Sequence, residues 1–113
     1  MKTSTQLNKK FKQKWLTALR SGKYEQGESE LKTKGTQEYC CLGVACKIAG
    51  LRPSDISGRT MPSTLSPKLQ SKLPPFFRSE TVDRDHEGLA TLADMNDNGS
   101  TFEEIADYIE RNL

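Results

Sequence analysis

The chain has 113 residues, a formal net charge of +2 and 34% hydrophobic residues, enough for one modest core but not for two. No stretch approaches the roughly 20 apolar residues that span a bilayer, and Met1 to Gln6 carries a lysine without the apolar run of a secretory leader. Together these predict a single domain over residues 1–113 in the cytoplasm, with no membrane partner.

Residues 6–21 read as an amphipathic helix. Leu7, Phe11, Trp15, Leu16 and Leu19 recur at spacings of three and four, lysines 9, 10, 12 and 14 fall mainly on other faces, and Ser21-Gly22 is a stop. Residues 24–39 are polar. Within them Glu30 to Thr33 and Thr36 to Tyr39 can pair around Lys34-Gly35 as a short hairpin. Residues 41–49 predict a second helix, apolar on most sides and therefore central, with Gly50 as its stop.

All five prolines fall within residues 51–79, which excludes long regular structure there. One helical turn is expected after Ser66-Pro67, and Leu69, Leu73, Phe76 and Phe77 are expected to clip this segment to the core. A loop of that length is often functional or mobile. Residues 86–95 predict a third helix with Leu89, Leu92 and Ala93 inward and Asp85 as a cap. Asn96-Asp97-Asn98-Gly99 is a turn signal. Ser100 or Thr101, with Glu103 or Glu104, then caps a last helix whose apolar stripe is Phe102, Ile105, Ala106, Ile109 and Leu113. The expected fold is a compact, mostly helical α+β domain of about four helices with a short hairpin, its core built by the first, second and last helices.

Charge is uneven along the chain. Residues 1–23 hold seven basic residues and no acid, whereas residues 80–113 hold ten acids and two arginines. Either the two ends attract each other in the fold or they form opposed charged faces.

The cysteines are the first candidates for chemistry. Their count is odd, and adjacent Cys40 and Cys41 do not suit disulfide geometry, so reduced thiols are expected. Cys40 falls where the second helix begins, a position that stabilises a thiolate. A catalytic version would use Cys40 as nucleophile and His86 as base, with Asp85 or Asn96 as third member. The plainer expectation is that Cys41 and Cys46 are core hydrophobes and Cys40 lies at the core edge. Cys40, Cys41, Cys46 and His86 lack a Cys-x-x-Cys pair, so no metal and no cofactor are expected.

Asp94 to Gly99 imitates the start of an EF-hand loop, but its twelfth position is Ile105 instead of a glutamate, which favours turn chemistry. The last helix also resembles the opening of a helix-turn-helix. It is acidic, and with the sequence ending at Leu113 no recognition helix follows it here. Tyr24-Glu25-Gln26-Gly27 offers a stacking ring, an amide and a close backbone approach for a small ligand.

Three blocks carry a resemblance: Lys14 to Gly27, then Tyr39-Cys40-Cys41-Leu42-Gly43-Val44-Ala45-Cys46, then Leu92 to Asp97 followed by Phe102 to Glu110. In this order they resemble small uncharacterised proteins encoded by bacteriophages and prophages. The order also looks like that of a family of unknown function in actinobacteria. The resemblance covers most of the chain outside its proline-rich middle and brings no established activity. It implies a context, the host cytoplasm, where small phage accessory proteins often bind a host component. Some inhibit host defence proteins and some sequester signalling nucleotides.

The expected function is therefore that of a non-catalytic accessory protein, binding a host macromolecule or a small nucleotide-like ligand in host takeover or anti-defence. Its expected binding face combines Tyr24, Gln26, Cys40, Asn96 and Asp97, all at element junctions. The alternatives are the Cys40–His86 thiol enzyme and a weak nucleic-acid-associated protein acting through Lys9, Lys10, Lys12 and Lys14.

Overall fold

Helix α1, Lys9–Arg20, begins where the Asn8 side chain accepts the Phe11 N–H at 3.0 Å. It ends at Ser21, whose hydroxyl donates to the Ala18 carbonyl, followed by Gly22 at φ +79°. The structure is a computed structural model, and it describes residues 7–77 and 91–113. The Asp85 cap, His86 and Leu89 lie outside the described residues. The inner face of α1 is Trp15, Leu16 and Leu19 from the stripe that the spacing predicts, with Phe11 half-buried beside them and Leu7 buried just before the helix.

Strands β1, Glu25–Gln26, and β2, Glu38–Tyr39, form a parallel pair, with Glu25 opposite Glu38 and Gln26 opposite Tyr39. The expected hairpin of residues 30–39 is present beside this pair only in minimal form, with Cys40 N–H donating to the Leu31 carbonyl. The chain does reverse at Gly35, φ +79°, and Thr33 N–H donates to the Glu38 carbonyl, but only one antiparallel bridge, Lys32 to Tyr39, results. The reason is competition for edges. Leu31 N–H goes to the Arg59 carbonyl and Gly58 N–H to the Lys32 carbonyl, while the far side of Tyr39 receives Gly27 N–H at 2.8 Å. The 31–33 and 38–40 segments each lie between two neighbours, and neither pairing extends beyond one or two residues.

Helix α2, Cys41–Ile48, is the buried centre of the fold, with six consecutive buried residues, Cys41 to Cys46. Gly43 within it has a specific purpose. A Cβ there would overlap the Leu31 carbonyl, so the Leu31 backbone lies directly on the helix. The indole N–H of fully buried Trp15 donates to the Cys41 carbonyl at 3.0 Å, which fixes α1 on the first turn of α2.

The proline-rich stretch forms single turns: α3, Pro53–Ile56, α4, Pro67–Gln70, and 3-10 turns at Pro62–Thr64 and Pro75–Phe77. The Ser66 cap on α4 is present, its hydroxyl accepting Leu69 N–H. Phe77 packs edge-on against Trp15 with ring centroids 5.2 Å apart, and Phe11 and Phe76 stand at 5.5 and 5.1 Å from it. Each such pair adds about 0.5–1.5 kcal/mol beyond its buried area, so this segment is tied to α1 by aromatic packing.

Helix α5 is described over residues 91–97, and α6 spans Phe102–Asn112. Gly99 at φ +102° and the Ser100 N–H to Met95 carbonyl bond close α5. Thr101 and Glu104 form the capping box reciprocally, at 3.1 and 2.9 Å. Helix α6 lies against α1, and Arg20 bridges to Asp107 at 2.7 Å and Glu110 at 2.8 Å. Part of the charge asymmetry is thus consumed inside the fold, where the basic start meets the acidic end. The result is a compact, mostly helical α+β domain. Among the described residues no helix is long and apolar enough to cross a membrane.

Candidate functional site

Four residues of the expected binding face meet the N-terminus of α2. Cys40 occupies the cap position there and makes no side-chain cap bond. Asn96 supplies it from α5: its Oδ1 accepts Cys41 N–H at 3.2 Å and Gln26 Nε2–H at 2.9 Å, and its Nδ2 donates to the Gly27 carbonyl at 2.7 Å. Gln26 Nε2 also donates to the Ser100 carbonyl, and Asp97 accepts Ser29 N–H at 2.8 Å. Asn96 is only 1% exposed. The polar groups of Gln26, Asn96 and Asp97 converge here, and they bond to one another and to backbone. Tyr24 stands apart from this latch, its ring edge-on to Tyr39 at 5.6 Å.

The three thiols are all free and buried. Burial pushes Cys40 up to about 11 and Cys46 up to about 12, and pushes Cys41 well above the ordinary value. The N–H groups of Gly43 and Leu42 at the helix start pull Cys40 downward, but desolvation outweighs them. At neutral pH Cys40 is therefore held as the protonated thiol. His86, the base of the catalytic alternative, lies outside the described residues. Among the described residues, no three His, Cys, Asp or Glu side chains gather as metal ligands. The Asp94–Gly99 turn scatters its oxygens: Asn96 turns inward, Asp97 holds Ser29, and Asn98 Nδ2 donates back to the Asp94 carbonyl.

The lysines of α1 divide because successive residues turn by about 100°. Lys12 Nζ reaches the Glu110 carbonyl of α6 at 3.2 Å. Lys9 is exposed. Lys10 and Lys14 line a pair of adjoining surface grooves of about 460 and 540 Å³. The first groove also includes Phe11, Leu73 and Lys72, and the second Ala18, Lys23 and Tyr24. Lys14 and Ile48 belong to both, and among the described residues no acid lines either. Among the described residues, Lys10, Lys14, Lys23 and Lys72 have no ion-pair partner. Sequence reasoning missed these grooves because Lys72 and Ile48 reach them from distant segments. The usable signal was the i, i+4 spacing of Lys10 and Lys14 beside Phe11.

Neither the curated proteins nor the solved structures contain a match to the chain. One family, described as a domain of unknown function, DUF8296, matches residues 7–113, which takes in both the Asn96 latch and the lysine-lined grooves. The chain belongs to the DUF8296 family.

Proposed function

We propose that the chain is a non-catalytic accessory protein of the phage or prophage kind that binds an anionic host component on its grooved, lysine-lined face. The pair of grooves sharing Lys14 and Ile48 carries this reading, because among the described residues it combines a half-buried apolar floor with four lysines and no acid. Such a face attracts negative charge at a distance and rewards apolar contact once docked. Tyr24 is the one member of the expected binding set that lines it. A thiol enzyme draws no support from cysteines held protonated in the core.

The test is a chemical-shift titration of the full chain with three anionic probes at low salt: an acidic peptide, a single-stranded oligonucleotide and a cyclic dinucleotide. At least one is expected to move resonances of α1, Ile48 and Lys72, and to lose about tenfold in affinity against Lys14→Glu/Lys72→Glu. If no probe binds, or if every binder maps away from these residues, the reading falls.

A further inference from the structure

Resting on that binding face, we infer that its occupant is an acidic amphipathic helix of a partner protein. The two grooves adjoin at Lys14 and Ile48, which line both, and together they make a trough with these two side chains at its middle. It follows α1, from Asn8 and Lys10 at one end to Ser21 and Tyr24 at the other. A helix of the twelve residues of α1 is about 18 Å long. A partner helix of three turns matches that length and presents apolar side chains at i, i+3 or i+4, and i+7 along one face.

Floor and rim sort the occupants. The floor offers half-buried Phe11 in the first groove, Ala18 and Tyr24 in the second, and Ile48 between them, over a buried Leu73. The rim offers Lys10, Lys14, Lys23 and Lys72. Apolar anchors entering both grooves would bring flanking carboxylates to the lysines, with Lys14 between the two anchors. A nucleic acid fits less well. Its interfaces are strongly positive and polar, whereas this chain has a net charge of +2 and this trough has an apolar floor. A second copy fits less well too. Its acidic helix α6 already buries Phe102, Ile105, Ala106 and Ile109 in its own core, leaving no apolar face to offer.

The experiment is selection from a displayed library of random peptides of about 14 residues, long enough for roughly 20 Å of helix. The full wild-type chain is the target, and the Lys14→Glu/Lys72→Glu chain is the counter-target. Both lysines are exposed, and unchanged circular dichroism would verify the fold of the variant. Enriched peptides are expected to be net acidic, to space apolar residues by three and four, and to bind wild type about tenfold tighter than the variant. Ile48→Ser should weaken the same peptides while leaving the lysines in place. Enrichment of basic or non-periodic peptides, no enrichment, or equal binding to Ile48→Ser would overturn the helix. An oligonucleotide that displaces the peptides and binds the same face more tightly would also overturn it, yet would leave the anionic binding face standing. Failure of every anionic probe on that face would remove both.

Discussion

The side-chain oxygen of Asn96 accepts the backbone N–H of Cys41, capping a helix that begins 55 residues earlier in the chain. Cys40, at the cap position itself, contributes no side-chain bond there. Asn96→Ala would leave Cys41 N–H, Gln26 Nε2 and the Gly27 carbonyl short of a partner in or near the core. Unsatisfied buried groups cost about 1–3 kcal/mol each, though they do not sum fully. The expected loss is about 3 kcal/mol in a urea titration followed by circular dichroism. Asn96→Asp keeps the acceptor but turns the Gly27 contact into two facing acceptors, so it should also destabilise. A variant with an unchanged midpoint would mean that the latch holds nothing.

Gly43 makes a prediction of sign. In an open helix, glycine to alanine stabilises by up to about 1 kcal/mol. At position 43 the added methyl would run into the Leu31 backbone carbonyl, which cannot swing aside as a side chain can. Gly43→Ala should therefore destabilise by about 3 kcal/mol or more. Comparing its thermal midpoint with wild type checks this, and an increase would contradict the close approach.

The thiols predict a pH dependence. Between the ordinary thiol value of 9.0 and about 11, folded Cys40 keeps a proton that the unfolded chain releases. The folded state binds more protons in that window, so stability falls as pH rises through it. Cys41 and Cys46 act in the same direction. Native Cys40 should alkylate far more slowly than a free thiol at pH 8 and reach the free rate only in denaturant. Rapid native alkylation would revive the nucleophile.

The contact of Arg20 with Asp107 and Glu110 joins α1 to α6 at the surface, with the arginine side chain about a third exposed and the carboxylates about half. Both carboxylates raise the Arg20 value, chiefly through their hydrogen bonds, Glu110 first. Solvent and salt screen such a triad. Arg20→Met should lower the urea midpoint slightly in dilute buffer, and the difference should shrink in about 1 M salt. A salt-independent loss would point to packing of the arginine stem instead.

The helices were legible because their cues are local. The stripe of Trp15, Leu16 and Leu19, the Thr101–Glu104 box and the Ser66 cap are each contained within a turn or two. The parallel pair of β1 and β2 was not, since two-residue strands carry no alternation and their partners are separated by a loop. Nor was the Asn96 cap, which depends on a distant segment. The expected binding face was half legible. Element ends do bring Gln26, Asn96 and Asp97 together, but residue type cannot say whether such groups await a ligand or satisfy each other. The grooves are illegible for a related reason: Phe11 and Ile48 sit on helices with apolar faces, yet each stays partly exposed along their floor.

Trp15 is the chain's single tryptophan, and it touches three segments at once: its own helix, the first turn of α2 through its indole N–H, and the proline-rich stretch through Phe77. The protein therefore carries a built-in optical reporter. Its emission should be blue-shifted in the folded chain and move to the red when water reaches the ring. A step in that signal separate from the loss of helical ellipticity would reveal the proline-rich segment detaching before the helices melt.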